Sequence, residues 1–199
     1  MILSILTPTI PARAAQLAAL SAEISAQISA ADADLLVEHR IDDEPPPRSI
    51  GAKRDRLMRT ARGKYVAFVD DDDAILPGYV AEILAAIDSQ APDVVTFLQA
   101  ASVDGQLSTI EFRLGQENEP FNPGAYTKRN AWHICAWRRD LAILSQFPAM
   151  NYGEDWAWAA PLCALPDLRS VHIPLILHRY THSAAATAAP PPLTLHPPP

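Results

Sequence analysis

A single α/β domain built on a mostly parallel sheet is the fold class that this chain predicts, and three observations predict it. The first hundred residues alternate short apolar runs with longer amphipathic stretches, the pattern of strand–helix–strand units. One run, Tyr65 to Val69, is apolar at every position, which suits a strand covered on both faces. A length of 199 residues with 49% apolar side chains builds one sizeable core and not two.

Ile2 to Leu6 reads as the first strand, closed by Thr7-Pro8. Its flank MILSILTPTIPARAA has no basic region ahead of the apolar run, so a strand is expected there and not a signal peptide. Pro11 opens an Ala-rich helix to about Ala30, with Leu17, Leu20, Ile24 and Ile28 on one stripe. Leu35 to Val37 is a second strand, followed by polar residues and the turn Glu44-Pro45-Pro46-Pro47. Ser49 can cap a basic helix from Ile50 to Ala61, with Gly63 at the position that helix ends favour. The third strand, Tyr65 to Val69, runs into Asp70-Asp71-Asp72-Asp73. A helix from Pro77 to Ser89 and a fourth strand, Val94 to Leu98, follow.

The second half is turn-rich. Short antiparallel strands are expected around Leu107 to Leu114, an extended stretch at Trp132 to Trp137, and a helix from Arg139 to Phe147. Glu154 to Leu165 reads as a helix despite Pro161, and Val171 to His178 as a last strand. From Ala184 the chain becomes AAATAAPPPLTLHPPP, a composition that cannot build a core and predicts a disordered tail. The organisation is therefore one domain over residues 1–183, with halves 1–102 and 103–183, and a tail over 184–199.

No apolar run is long enough to cross a bilayer, and the two cysteines, Cys135 and Cys163, suggest reduced thiols in a cytoplasmic protein. A net charge of −7 argues against a general nucleic-acid binder, although Arg48 to Lys64 holds seven basic residues against one acid, Asp55.

Four adjacent carboxylates repel one another unless a cation joins them. Ligands of open parallel sheets sit beyond the carboxyl ends of the strands, where Asp70 to Asp73 emerge. Carboxylates two apart in an extended loop can share a hard ion such as Mg²⁺ or Mn²⁺, which keeps open positions for phosphate oxygens. The bland alternative is a solvated acidic turn that caps the helix after Pro77.

The stretch AKRDRLMRTARGKYVAFVDDDD, Ala52 to Asp73, resembles the family-2 type glycosyltransferases of the GT-A fold. Arg54 falls on that family's helix arginine and Ala61-Arg62-Gly63-Lys64-Tyr65 on its A-x-G-x-Y. Asp70, Asp72 and Asp73 fall on its D-x-D-D. Asp55 stands where Asn is usual. NYGEDWAWAAPL, Asn151 to Leu162, resembles the family's G-E-D segment, and LILHRYTHS, Leu177 to Ser183, its closing Y-R-x-H-x-x-S. Val37 is followed by Glu38-His39-Arg40-Ile41-Asp42-Asp43 where relatives carry V-D-D-G-S, so the carboxylate that reads the base stays open among Glu38, Asp42 and Asp43.

The resemblance implies a GT-A, Rossmann-like domain with a nucleotide-sugar half, a small antiparallel acceptor-side portion, and transfer of a sugar from a nucleotide diphosphate to a hydroxyl. A UDP-sugar is the favoured donor and Mn²⁺ or Mg²⁺ the cofactor. Asp72, Asp73 and His178 would hold the metal. Thr7, Pro8, Thr9, Glu38, Lys53, Arg54, Asp70, Asp71, Arg179 and His182 would face the donor. Asp155 would be the general base of an inverting reaction, with Glu154 positioning the acceptor. Trp132, His133 and Trp156 would meet the acceptor, and one of Trp156 and Trp158, two apart on a helix, would be core. The acceptor is a saccharide, a lipid-linked saccharide or a hydroxylated base in DNA. Rival readings are a nucleotidyltransferase, which lacks its Gly-rich loop after strand one, a haloacid-dehalogenase-like phosphatase, and a non-enzymatic nucleic-acid module.

Overall fold

The computed structural model describes residues 1–182. The tail expected over 184–199 lies outside the described residues. Its first strand, β1 (Leu3–Pro8), is buried along its whole length and pairs in parallel with β2 (Val37–Asp42) on one side and β3 (Tyr65–Phe68) on the other. Next comes β8 (Ala136–Arg138), antiparallel to both β3 and β5 (Val94–Val103). β5 then pairs with β6 (Gln106–Phe112), and β6 with β7 (Tyr126–Arg129). The long last strand β9 (Ser170–His182) runs parallel to β5 and also pairs with the two-residue β4 (Ala74–Ile75). β1, β2, β3, β5 and β9 share one direction, so their carboxyl ends form one rim.

Helix α1 (Ala14–Ala30) buries Leu20, Ile24 and Ile28 at fourfold spacing, as the apolar stripe requires. Helix α2 (Ile50–Thr60) starts where Ser49 Oγ accepts from the Ala52 N–H at 3.3 Å. Gly63 does not adopt a left-handed conformation at the helix end. Its role is close approach: a Cβ there would lie 2.6 Å from Ser4 N and 2.7 Å from Ser4 Oγ. Helix α3 (Tyr79–Gln90) begins two residues after Pro77, behind a left-handed Gly78.

Three other boundaries differ from expectation. Leu35 and Leu36 are exposed in a turn, and β2 instead runs through the polar Glu38 to Asp42. It is an edge strand, where polar side chains reach solvent or neighbours. β5 and β6 extend toward each other through Asp104-Gly105, both at positive φ, a two-residue hairpin that the Asp-Gly pair signals. After Arg138 the helix α4 (Arg139–Ala142) is a single turn, and Trp132 to Cys135 form a turn rather than a strand.

The last helix, α5 (Glu154–Cys163), carries Pro161 in its final turn, where the ring withholds the N–H that would reach Ala157 O. It is pinned by Trp158, which is fully buried, stacks on Phe147 at 4.7 Å and donates from Nε1 to Ala142 O at 3.1 Å. Phe68 and Trp137 meet the same ring edge-on. This aromatic cluster packs α5 against β3, and so positions the acidic loop after β3 and the loop ahead of α5.

Candidate active site

At the rim, the four aspartates point in different directions. Asp70 receives both of its hydrogen bonds from Arg54 Nη2, at 2.8 and 2.7 Å. Arg54 is 2% exposed, lies 5.9 Å over the Phe68 ring, and donates from Nη1 to Glu154 Oε1. One guanidinium therefore joins the strand-tip carboxylate to the first residue of α5. Burial works to raise Asp70, but Arg54 and the nearby His133 hold it below its ordinary value. Burial holds Glu154 above its ordinary value against the pull of Arg54.

Asp71 is buried, accepting from Thr9 Oγ1 at 2.5 Å and from Arg13 Nη1 at 2.7 Å. The same Arg13 nitrogen lies 3.1 Å from Asp72, whose side chain is 46% exposed. Asp73 turns inward toward His178, with Oδ2 to Nε2 at 3.4 Å. Burial, together with Asp70 and Asp72, pushes Asp73 well above the ordinary carboxylate range. Burial also pushes His178 down to about 3, so its ring is neutral.

Asp73 Oδ1 and His178 Nε2 are both buried without a hydrogen-bond partner. Among the described residues no group of three or more His, Cys, Asp or Glu side chains is placed to hold a metal ion. Asp73 and His178 nonetheless each keep one buried unpartnered ligand-type atom beside the half-exposed Asp72, and a hard ion held there would take its remaining ligands from substrate and water. Gln99 contacts His178 Nδ1 at 2.9 Å, and an amide turned to present its oxygen there would leave Nε2 as a lone-pair donor.

Thr7 and Thr9 are both buried, and Thr7 Oγ1 is 2.9 Å from His39 Nε2. Lys53, also buried, donates from Nζ to Thr9 O. Pro8 is paired with Asp42 at the strand ends. Lys53 and Arg54 thus brace the rim, their charged ends engaged by Thr9 O and by Asp70 and Glu154 respectively. Glu38 lies at the second position of β2, away from the rim. There it accepts from Ser4 Oγ at 2.6 Å and from Arg62 N and Nε, both at 2.7 Å. Burial would raise Glu38, but those three donors lower it. Asp42, not Glu38, stands at the carboxyl end of β2, bound by Arg56. Arg179 is exposed, faces Ala74 beside the acidic loop, and has no protein partner among the described residues. His182 pairs through its backbone with Val103.

Asp155 sits in the first turn of α5. Its Oδ2 accepts from Trp132 Nε1 at 3.2 Å and lies 3.7 Å from His133 Nδ1, and its Oδ1 accepts from Trp156 N at 2.7 Å. The side chain is 26% exposed, so a ligand hydroxyl can reach it. His133 is buried and pushed down to about 4, by burial first and Arg54 second, so it is neutral with its Nδ1 unpartnered. Trp156 is 42% exposed and meets Trp132 at 5.7 Å between centroids, while Trp158 is the core member of the pair.

Two residues escaped the sequence reading. Arg13 is the first basic residue in the chain and stands alone until Arg40, a signal that an Ala-rich helix has no local use for. Gln99 gave no signal, being one polar residue in a strand.

A mixed sheet whose parallel strands end at one acidic rim is the arrangement of the GT-A fold, and the comparisons with known proteins agree. The sequence profile described as "Glycosyl transferase family 2" matches residues 24–141, more than half of the chain, and the chain belongs to that family. The match ends before Glu154 and Asp155. No curated protein sequence matches the chain. Among solved structures, S. aureus TarS 1-349 in complex with UDP-GlcNAc superposes with a TM-score of 0.59 at 16% identity, covering 92% of this chain and 59% of that one. The mannosyltransferase PcManGT from Pyrobaculum calidifontis, in complex with GDP-Man and Mn²⁺, gives 0.58 at 14% identity, covering 89% and 56%. This chain thus spans little more than half the length of those neighbours. No helix among the described residues is long and apolar enough to cross a membrane.

Proposed function

We propose that this chain transfers a sugar from a nucleoside-diphosphate sugar, a UDP-sugar in first place, to a hydroxyl of a saccharide acceptor, free or lipid-linked. The observation that carries the reading is the buried Asp70–Arg54–Glu154 bridge. It ties the acidic loop to the start of α5, so the donor-side carboxylates and Asp155 meet at one rim.

Asp73 and His178, with Asp72 beside them, are the residues that would hold Mn²⁺ or Mg²⁺. A divalent ion there would neutralise the charge that develops on the diphosphate leaving group. Arg179, exposed beside the loop, takes the diphosphate, flanked by the half-buried Arg13 that Asp71 and Asp72 hold. Asp42 or Asp43, at the end of β2, reads the base, and Asp70, Asp71 and Thr9 shape the loop around the ribose. Asp155 removes the proton from the attacking hydroxyl while Trp132 Nε1 holds its carboxylate in place. Direct attack by that hydroxyl, with departure of the nucleoside diphosphate from the opposite face, inverts the anomeric centre.

The structure gives modified DNA no support as acceptor. Within the basic stretch, Arg48 pairs with Glu44, Arg56 with Asp42 and Glu44, Arg59 with Asp55 and Arg62 with Glu38, while Lys53 and Arg54 are buried. Few of its charges are left for phosphates.

A thermal-shift panel of UDP-, GDP- and other nucleotide sugars, with and without Mn²⁺, tests the reading. One donor at a hundredfold excess over its Kd should stabilise by ~2.7 kcal/mol, a shift of about 5–11 °C at this chain size. That shift should require metal and vanish in Asp73→Asn. Absence of any metal-dependent shift with every donor overturns it.

A further inference from the structure

We infer that the acceptor is a neutral saccharide of at least two sugar units, and that its second ring binds in a cavity behind Trp132 and Trp156. This rests on the transferase reading above and extends it to the substrate. The cavity, of about 180 Å³, lies between α5 and the turn ahead of β8. Trp132, Trp156, Ala160, Cys163, Asn118 and Asn130 line it. Its volume falls below the ~300–1,000 Å³ of pockets for drug-sized ligands, which suits one ring.

The lining decides the chemistry. It contains no charged side chain, which disfavours a phosphate or a carboxylate ligand. Asn118 Oδ1 accepts from Asn130 N at 2.9 Å, and Asn130 Oδ1 accepts from Gly115 N at 3.0 Å and Ala131 N at 2.8 Å. Those backbone donors fix both amide orientations. Both Nδ2 groups are thereby left without a protein partner among the described residues, as two donors for hydroxyl or acetamido oxygens. A flat, half-exposed indole beside such donors matches a pyranose, which has an apolar face and a polar edge.

Position decides the rank of the subsite. Trp132 walls the cavity with its ring and bonds Asp155 through Nε1, yet Asp155 is not part of the lining. A ring seated there is therefore one unit removed from the hydroxyl that Asp155 activates.

The test is a tryptophan-fluorescence titration of the full chain with cellobiose, chitobiose and maltose, with the matching monosaccharides, and with octanol as an apolar probe. At least one disaccharide should bind about tenfold more tightly than its monosaccharide. Trp156→Ala should reduce that preference to within about twofold, and so should Ala160→Leu, which fills the cavity while keeping both indoles. A lack of preference, a preference that survives both substitutions, or displacement of the sugars by octanol overturns the inference. Donor binding is read separately, by the metal-dependent thermal shift of the same wild-type protein. Its absence would remove the transferase reading, whereas the sugar titration alone judges the cavity.

Discussion

Replacing Arg54 with methionine keeps the length and packing of the side chain and deletes its charge. The guanidinium is almost fully enclosed, its Glu154 partner is 5% exposed, and Asp70 is 27% exposed. Removing one member of a buried ion pair costs roughly 3–5 kcal/mol because the other stays charged and unpaired. Partial access of water to Asp70 places this case near the lower end, ~3 kcal/mol, which is about 6–12 °C in Tm for a domain of this size. The pH dependence follows from the signs. Without the cation, burial lifts the folded-state values of Asp70 and Glu154 above their unfolded ones. The two groups then disfavour folding most at neutral pH, and the deficit shrinks as pH falls and they take up protons. Thermal unfolding at pH 8 and at pH 5 should therefore show a larger Tm gap from wild type at pH 8. A double variant, Arg54→Met with Glu154→Gln, should recover part of the loss, because neutral Gln needs no counter-charge. A Tm within about 2 °C of wild type, or a gap that widens toward acid pH, would refute the account of Arg54 as a buried bridge.

The other expectations concern the base and the histidines. Asp155→Asn should lower kcat by roughly 10²–10⁴-fold while the metal-dependent donor shift persists, read by nucleotide release against thermal shift; unchanged turnover excludes Asp155 as base. His39 and His133 are both held down to about 4, chiefly by burial, so the folded chain resists protonating them. Their contribution to stability is complete above pH 6.5 and is lost as pH falls toward 4, at ~1.4 kcal/mol per pH unit for each. Urea unfolding from pH 7 to 4.5 should show this slope, and His39→Gln should lessen it.

How much of this was legible in the chain depends on the range of the interaction. The strand–loop of Tyr65 to Asp73 announces itself because its apolar run and its acids are consecutive, and Glu154-Asp155 because they open a helix. Side-chain partners are another matter. Arg54 stands out as a motif residue, yet its pairing with Asp70 and Glu154 depends on how closely α2 packs against the start of α5, which no local pattern encodes. The same holds for Glu38. The expected strand ended at Val37, one residue short of it, and its capture by Ser4 and Arg62 follows from the register of β2 on β1, a tertiary fact. Polar Glu38 to Asp42 gave no strand period because the strand is an edge. Arg13 was visible only as an oddity of composition, and its hold on Asp71 and Asp72 comes from the chain folding back over the third strand.

Gly51 has a wider consequence. A methyl group at that position would sit 1.9 Å from Pro148 O and 3.1 Å from Glu154 Cβ, and its N–H already reaches Met150 O at 3.1 Å. At Gly51 itself, α2 therefore meets the stretch ahead of α5 main chain against main chain. Such a joint has no adjustable thickness. A single added carbon at Gly51 would wedge α2 away from the segment that leads into α5, and with it the helix carrying Arg54 from the turn carrying Glu154.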